Sequence, residues 1–214
     1  MTEAELRQTP IGKPWQPGKP LRLVTVGSLL PGKNISALIA ALPLLGEQYP
    51  EISLEVIGTG RLLEDLQQQT RQMGLEDVVK FSGNLSHNEV LERLASSHVF
   101  VFPTLYEGFP KALLEAMACG LPIVASPVSV IPRLLEGGAG FLLGGQDSAS
   151  IAAGISELLS DPEKMAAMGE LARQRAQRYT LERWRDEIGQ RLSGAWGEQL
   201  KHQVEEPDQG ERIA

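Results

Sequence analysis

Cysteine, aromatic residues and long apolar runs are all scarce in this chain of 214 residues. Cys119 is the only cysteine, so no disulfide can form within the chain and no zinc site can be built from cysteines. No apolar run approaches the length that spans a membrane, and the N-terminal MTEAELRQTP lacks the apolar core of a secretory signal. We therefore expect a cytoplasmic protein without a transmembrane segment.

Basic residues are also in the minority, since 20 lysines and arginines stand against 27 aspartates and glutamates. This balance gives no reason to expect nucleic acid or an anionic membrane as a partner, and any phosphate binding has to come from local groups. The sequence has no Asp-x-Asp segment and no histidine and acidic cluster with metal-ligand spacing, so we expect a metal-independent site.

Apolar strands and amphipathic helices alternate along most of the chain, whose length suits one large α/β domain. The predicted elements are strands at 21–26, 54–57, 78–81, 99–102, 123–125 and 140–143, and helices at 35–45, 62–73, 88–95, 111–119, near Pro132, 148–159, 162–178 and 181–200. This alternation predicts a three-layer, Rossmann-like α/β fold with one parallel sheet. We place the domain at 21–200, after a Pro-rich linker at 1–20 and before a polar, disordered tail at 201–214.

The helix predicted at 111–119 carries an acid that needs an explanation. Its polar positions are Lys111 and Glu115, four residues apart in an otherwise apolar sequence, and a solvated pair is the plain explanation. Glu107, however, follows the predicted strand 99–102, at the carboxyl end where open α/β sheets bind ligands. Two carboxylates beside a helix N-terminus suit a ligand with hydroxyls at both ends and phosphates in the middle, such as a nucleotide sugar.

The segment PTLYEGFPKALLEAMACGLPIVAS resembles the donor-binding segment of family 4 retaining glycosyltransferases, which have the GT-B fold. Glu107 and Glu115 match its two glutamates in the spacing E-x₇-E, and the flanking residues agree on both sides. The resemblance implies that Glu115 holds the ribose hydroxyls, and that Glu107, with Gly108 and Phe109 beside it, lies at the donor sugar and takes part in catalysis. It implies transfer of a sugar from a nucleotide-diphosphate donor to an acceptor with retention of configuration, without a cofactor.

Two earlier loops also resemble this family. In VGSLLPGKN, Gly27 and Lys33 match a loop that clamps the donor diphosphate, which makes Lys33 an expected catalytic residue, whereas Ser28 stands where the family has arginine. Serine donates one hydrogen bond and carries no charge, so a bidentate phosphate contact is missing there. In IGTGRL, Gly58 and Gly60 match a turn that lets the nucleotide base approach, although a plain strand-to-helix turn explains them equally well.

Further departures and one histidine bear on the same site. In SVIPR, Ser129 and Val130 replace two glycines of the family and Arg133 replaces an acid. We expect the side chains there to crowd the pocket, although Arg133 would restore a positive charge near it. His87 opens the helix predicted to follow Ser86, and we assign this histidine no chemistry.

The resemblance runs from about 21 to 193 and corresponds to the C-terminal, donor-binding half of such an enzyme. These enzymes need an N-terminal, acceptor-binding domain, which we expect as a separate domain or subunit. The alternative from another class is a catalytically silent nucleotide-sugar-binding or interaction module, and a GT-B epimerase is a more distant one.

A final apolar stripe consists of Trp184, Ile188, Leu192 and Trp196, at intervals of four residues. By default this stripe covers its own domain. The resemblance adds that the terminal helix of the family commonly crosses to the other domain.

Overall fold

The computed structural model of the protein describes residues 1–204, with only the backbone at 195 and 197–204. Six strands form one parallel sheet: β1 (Leu21–Val26), β2 (Ile52–Ile57), β3 (Val79–Gly83), β4 (Val99–Phe102), β5 (Ile123–Ala125) and β6 (Phe141–Leu142). Their order across the sheet is β3-β2-β1-β4-β5-β6. The predicted parallel sheet is confirmed.

Helices cover both faces of this sheet. They are α1 (Glu3–Gln8), α2 (Ile35–Gly46), α3 (Leu63–Gln72), α4 (His87–Ser96), α5 (Lys111–Ala118), α6 (Ile131–Leu134), α7 (Ser148–Leu159), α8 (Pro162–Ala176) and α9 (Leu181–Val204). Residues of α2, α3 and α7 form the core on one face, and residues of α4, α5 and α6 form the core on the other. The three layers agree with the predicted Rossmann-like fold.

The strand order creates a crevice at the carboxyl edge of the sheet. β1 pairs with β2 on one side and with β4 on the other. The helix that follows β1 packs on one face and the helix that follows β4 packs on the opposite face, so the two loops diverge as they leave the sheet. Ligands of open α/β sheets bind at such a switch point.

Residues 1–20, predicted as a linker, are folded against the domain. A capping box begins α1, because Thr2 Oγ1 accepts from the Glu5 N–H at 3.1 Å and Glu5 Oε2 accepts from the Thr2 N–H at 2.7 Å. Leu6 and Trp15 are buried, with 7% and 6% of their surface exposed. The segment thus contributes to both cores, with Leu6 on one face and Trp15 on the other.

The terminal helix α9 runs to Val204, past the domain boundary predicted at 200, and the predicted tail from 205 to 214 lies outside the described residues. Trp184 is 64% exposed and Trp196 is 52% exposed. The expectation that this apolar stripe covers its own domain is therefore wrong. Within residues 1–204, no helix combines the length and the apolar character needed to cross a membrane.

At the amino edge of the sheet, opposite the crevice, His98 lies buried beside Arg22. The Arg22 backbone N–H donates to His98 Nδ1 at 3.0 Å, and a guanidinium nitrogen of Arg22 lies 2.9 Å from His98 Nε2. Burial, and secondly the charge of Arg22, lower the pKa of His98 from 6.5 to about 4. Protonation at Nδ1 would also break the bond from the backbone.

This shift makes the free energy of unfolding depend on pH. Above pH 6.5 the imidazole is neutral in both states, whereas between pH 6.5 and about 4 the unfolded chain binds a proton that the folded chain excludes. As the pH falls through this window, we expect the free energy of unfolding to decrease by up to about 3 kcal/mol from His98 alone. Urea unfolding at several pH values measures the loss, and His98→Asn, whose amide oxygen can accept the Arg22 N–H, is the control that should remove this component. An equal pH dependence in both proteins would contradict the assignment.

Candidate active site

Two loops meet in the crevice through Lys33 and Glu107. Lys33 ends a short 3₁₀ turn after β1, and its Nζ lies 2.5 Å from Glu107 Oε2 in the loop after β4. The two side chains are 21% and 12% exposed, so the pair is largely withdrawn from solvent. Glu107 Oε1 accepts the Gly108 N–H at 3.0 Å, and the Lys33 ammonium lies 5.3 Å from the centroid of the Phe102 ring. The structure therefore brings together the two residues predicted to be catalytic.

The backbone of Gly32 anchors the loop after β4 to the loop after β1. Its carbonyl accepts the Leu105 N–H at 2.8 Å and the Thr104 hydroxyl at 2.9 Å. A Cβ at Gly32 would lie 2.3 Å from Tyr106 Cζ, so the Tyr106 ring rests directly on the glycine. This contact could not be predicted from the sequence, because Gly32 and Tyr106 are far apart in the chain and neither has a catalytic signature.

The glycines at the ends of β1 and β2 let two loops run side by side. The Gly27 N–H donates to the Ile57 carbonyl at 3.0 Å, and the Leu29 N–H donates to the Thr59 carbonyl at 2.9 Å. A Cβ at Gly58 would lie 2.0 Å from the Gly27 oxygen, and Gly58 has a φ of +131°. The space beside Gly58 is thus filled by the neighbouring loop, which gives the glycine a packing reason of its own.

Gly60 is likewise packed against the loop that follows β1. A Cβ there would lie 2.5 Å from the Leu29 oxygen. The loop-packing explanation of these glycines is therefore established, and their contact with a nucleotide base stays a prediction.

Of the residues expected to depart from the family pattern, Ser129 contacts the loop that carries Glu107. Ser28 is exposed at the end of β1, and Arg133 is exposed in α6. Ser129 has a φ of +54°, the left-handed conformation that a glycine adopts at little cost, and its hydroxyl donates to the Gly108 carbonyl at 3.4 Å. The chain keeps the backbone shape of a glycine at Ser129 and adds a contact to the loop that carries Glu107.

Glu115 lies one turn into α5, with its side chain 22% exposed. Its Oε1 lies 3.3 Å from His87 Nδ1 at the start of α4. Burial raises the pKa of Glu115, while the nearby His87, the α-amino group and Lys111 oppose the rise. No ion pair joins Lys111 and Glu115 in the described part of the chain, so the plain solvated-pair explanation does not hold.

The other predicted donor residues lie in the same loops. Gly108 and Phe109 follow Glu107 directly, and Phe109 is 57% exposed at the rim of the crevice. Among residues 1–204, no three histidine, cysteine, aspartate or glutamate side chains are grouped so that they could hold a metal ion. Contacts of all these residues with a donor stay predictions.

Comparison with known protein families finds one match over most of the chain. A family model described as "Glycosyl transferases group 1" matches residues 9–175. The chain is 32% identical, over 170 residues, to a GDP-mannose-dependent phosphatidylinositol monomannoside mannosyltransferase of Mycolicibacterium smegmatis, covering 76% of this chain and 44% of the relative. It is 33% identical to a glycogen synthase of Mycobacterium tuberculosis, over 73% of this chain and 38% of the relative.

Solved structures also share the fold of this chain. The fold superposes on HepE of Anabaena, solved with UDP and glucose, with a TM-score of 0.72 and 27% identity, over 81% of this chain and 48% of that one. A C-terminal domain of a group 1 glycosyl transferase from Francisella tularensis shares the fold at a TM-score of 0.68, over 82% of this chain and 90% of that one. The chain spans about half the length of the curated relatives that it matches.

The packing of the two glycine loops predicts that Gly58→Ala is strongly destabilising. The methyl group would overlap the Gly27 carbonyl, and the positive φ adds strain, so we expect a loss of about 3 kcal/mol or more. Gly74→Ala is the matched control, because Gly74 also has a positive φ of +67° but has open space around it. Chemical denaturation should show a loss of only about 1 kcal/mol for the control. Equal losses of stability in the two variants would mean that the packing of the two loops against each other does not contribute to the free energy of unfolding.

Proposed function

The chain belongs to the group 1 glycosyl transferases, and we propose that it is the donor-binding half of a family 4 enzyme that transfers a hexose with retention of configuration. The observation that carries this proposal is the Lys33–Glu107 pair in the crevice between β1 and β4. Glu107 also stands eight residues before Glu115 in the sequence. A cytoplasmic site of action belongs to the same proposal.

In this proposal the donor lies across the carboxyl edge of the sheet. Its ribose hydroxyls bind Glu115, its diphosphate lies between the Gly27 loop and the start of α5, and its sugar lies at Glu107. An ammonium group has three donors, and Glu107 takes one at Lys33, so the other two are free for phosphate oxygens. Gly58 and Gly60 face the base in this arrangement.

The chemistry follows from the placement of charge. As the bond between the anomeric carbon and the diphosphate lengthens, negative charge grows on the diphosphate and the sugar becomes oxocarbenium-like. Lys33 and the positive end of α5 stabilise the departing diphosphate without a metal, and Glu107 faces the positive sugar. The acceptor attacks from the side that the diphosphate leaves, which retains the configuration.

The chain spans about half the length of its relatives, and in this proposal the acceptor is bound by a further domain or subunit. Positioning of the acceptor supplies much of the rate in such a reaction. The exposed stripe of α9, with Trp184 and Trp196, is suited to contact this other half.

A second candidate is a catalytically silent nucleotide-sugar-binding or interaction module. It is favoured by Ser28, which places no charge where a second cation would bind phosphate, and by the Ser129 and Val130 side chains at the mouth of the crevice. This candidate predicts binding of a nucleotide sugar with no transfer under any condition.

Binding and turnover of the purified chain test the half-enzyme proposal. With a panel of UDP- and GDP-hexoses and simple acceptors, we expect weak nucleotide binding and no useful transfer, because the acceptor is not positioned. A separately encoded N-terminal partner, recovered by pull-down, should restore transfer. Robust turnover by the monomeric chain would refute the half-enzyme proposal. Nucleotide binding with no transfer even in the complex would favour the silent module, and absence of all binding would refute donor binding itself.

Ser28→Arg tests where the diphosphate lies. Ser28 is exposed at the crevice, so an arginine fits there and can make a charge-assisted bond to phosphate. Calorimetry should show binding of a nucleoside diphosphate tightened by roughly tenfold and binding of the nucleoside unchanged. Arg133→Ser, which removes an exposed charge in α6, is a comparison variant for the effect of net charge. Equal tightening of nucleoside and diphosphate by Ser28→Arg would show that the phosphates lie elsewhere.

A further inference from the structure

The contact between His87 and Glu115 joins two helices at the edge of the proposed nucleotide site. His87 is the first residue of α4, and its Nδ1 lies 3.3 Å from Glu115 Oε1 in α5. The start of α4 is itself held by a capping box, since the Ser86 N–H donates to Glu89 Oε2 at 2.8 Å and the Glu89 N–H donates to the Ser86 hydroxyl at 3.4 Å. His87 therefore projects toward α5 from a fixed backbone.

The Glu115 carboxylate is largely withdrawn from solvent. Its side chain is 22% exposed, whereas that of His87 is 46% exposed. The charged groups that act on Glu115 are His87, the α-amino group at Met1 and Lys111, and His87 is the one that lies within ion-pair distance in the described residues. Burial of a carboxylate is costly unless a donor compensates it, so the imidazole contact matters more here than it would on an open surface.

The geometry leaves half of the carboxylate for a ligand. With a proton on Nδ1, His87 attracts Oε1 across 3.3 Å and so restrains the rotation of the carboxylate plane, while the second oxygen, Oε2, is an acceptor for a ligand. Two adjacent hydroxyls of a ribose are donors of the matching kind. Since free rotation of the glutamate would have to be lost on binding, a partner that fixes it beforehand raises the affinity.

We propose that His87 is a positioning residue for ribose binding, which orients Glu115 so that its carboxylate receives the 2′- and 3′-hydroxyls of the donor nucleotide. This inference rests on the proposed function and identifies a residue that acts through Glu115 without touching the sugar that is transferred.

The test compares ribonucleotides with analogues that lack the ribose hydroxyls. Dissociation constants of UDP and GDP, and of their 2′,3′-dideoxy counterparts, are measured by calorimetry. His87→Ala should weaken binding of whichever ribonucleotide binds by about 3- to 10-fold, the effect of one hydrogen bond, and leave the dideoxy analogue unchanged. His87→Asn should restore most of the affinity, because its amide nitrogen stands near the position of Nδ1. Asn88→Ala, at the exposed next residue of α4, is the control that should change neither ligand.

A double variant separates positioning from a direct contact. In a Glu115→Gln background, His87→Ala should have no further effect on the ribonucleotide, since the group that it orients is already changed. Equal weakening of ribonucleotide and dideoxy analogue, or no effect of His87→Ala on either, would overturn the role of His87 and leave the proposed function standing. A wild-type chain that binds both ligands equally well would instead overturn the role of Glu115 and this inference with it. Circular dichroism of each variant verifies that it is folded.

Discussion

The ion pair between Lys33 and Glu107 is the interaction on which the crevice depends. β1 and β4 are adjacent and parallel, so the loops that follow them start at neighbouring points of the sheet edge before they lead to helices on opposite faces. Opposite charges on the two loops hold them together across the crevice. Both side chains are mostly buried, and removal of either one would leave the other as an uncompensated charge. The same pair therefore serves the fold and presents an ammonium group where the proposed donor places its diphosphate.

The backbone beneath the pair permits this arrangement only because small residues lie at the points of closest approach. Gly32 lies under the Tyr106 ring, and Gly58 lies against the Gly27 carbonyl. At Ser129 a residue with a side chain adopts a left-handed conformation, and its hydroxyl reaches the Gly108 carbonyl. Ser129 thus takes a conformation that glycine adopts at little cost and gains a contact to the Glu107 loop.

Much of the fold was predictable because each element is marked locally. Four consecutive apolar residues at Val99–Phe102 and the Gly120 that stops α5 needed no knowledge of the rest of the chain. The helix α1 was missed, although Thr2 and Glu5 have the spacing of a capping box, because the prolines that follow dominate the composition. The exposure of the α9 stripe could not be predicted, since its pattern shows an apolar face and not what covers it.

The site was predictable in its residues and not in its contacts. Glu107, Glu115 and Lys33 stand out by type and spacing, yet the partners of the two glutamates come from other parts of the chain. A lone histidine at the start of a helix, such as His87, carries no signal of the carboxylate that it meets in space. Contacts of this kind arise from the packing of α4 against α5, which sequence periodicity does not determine.

Donor binding at the switch point is tested most directly by a crystal structure of the chain with a bound nucleoside diphosphate. We expect the diphosphate in the crevice between β1 and β4, with a phosphate oxygen within hydrogen-bond distance of Lys33 Nζ and the ribose hydroxyls on the carboxylate of Glu115. A nucleotide bound away from this crevice, with Lys33 and Glu115 untouched, would contradict the assignment of the donor site.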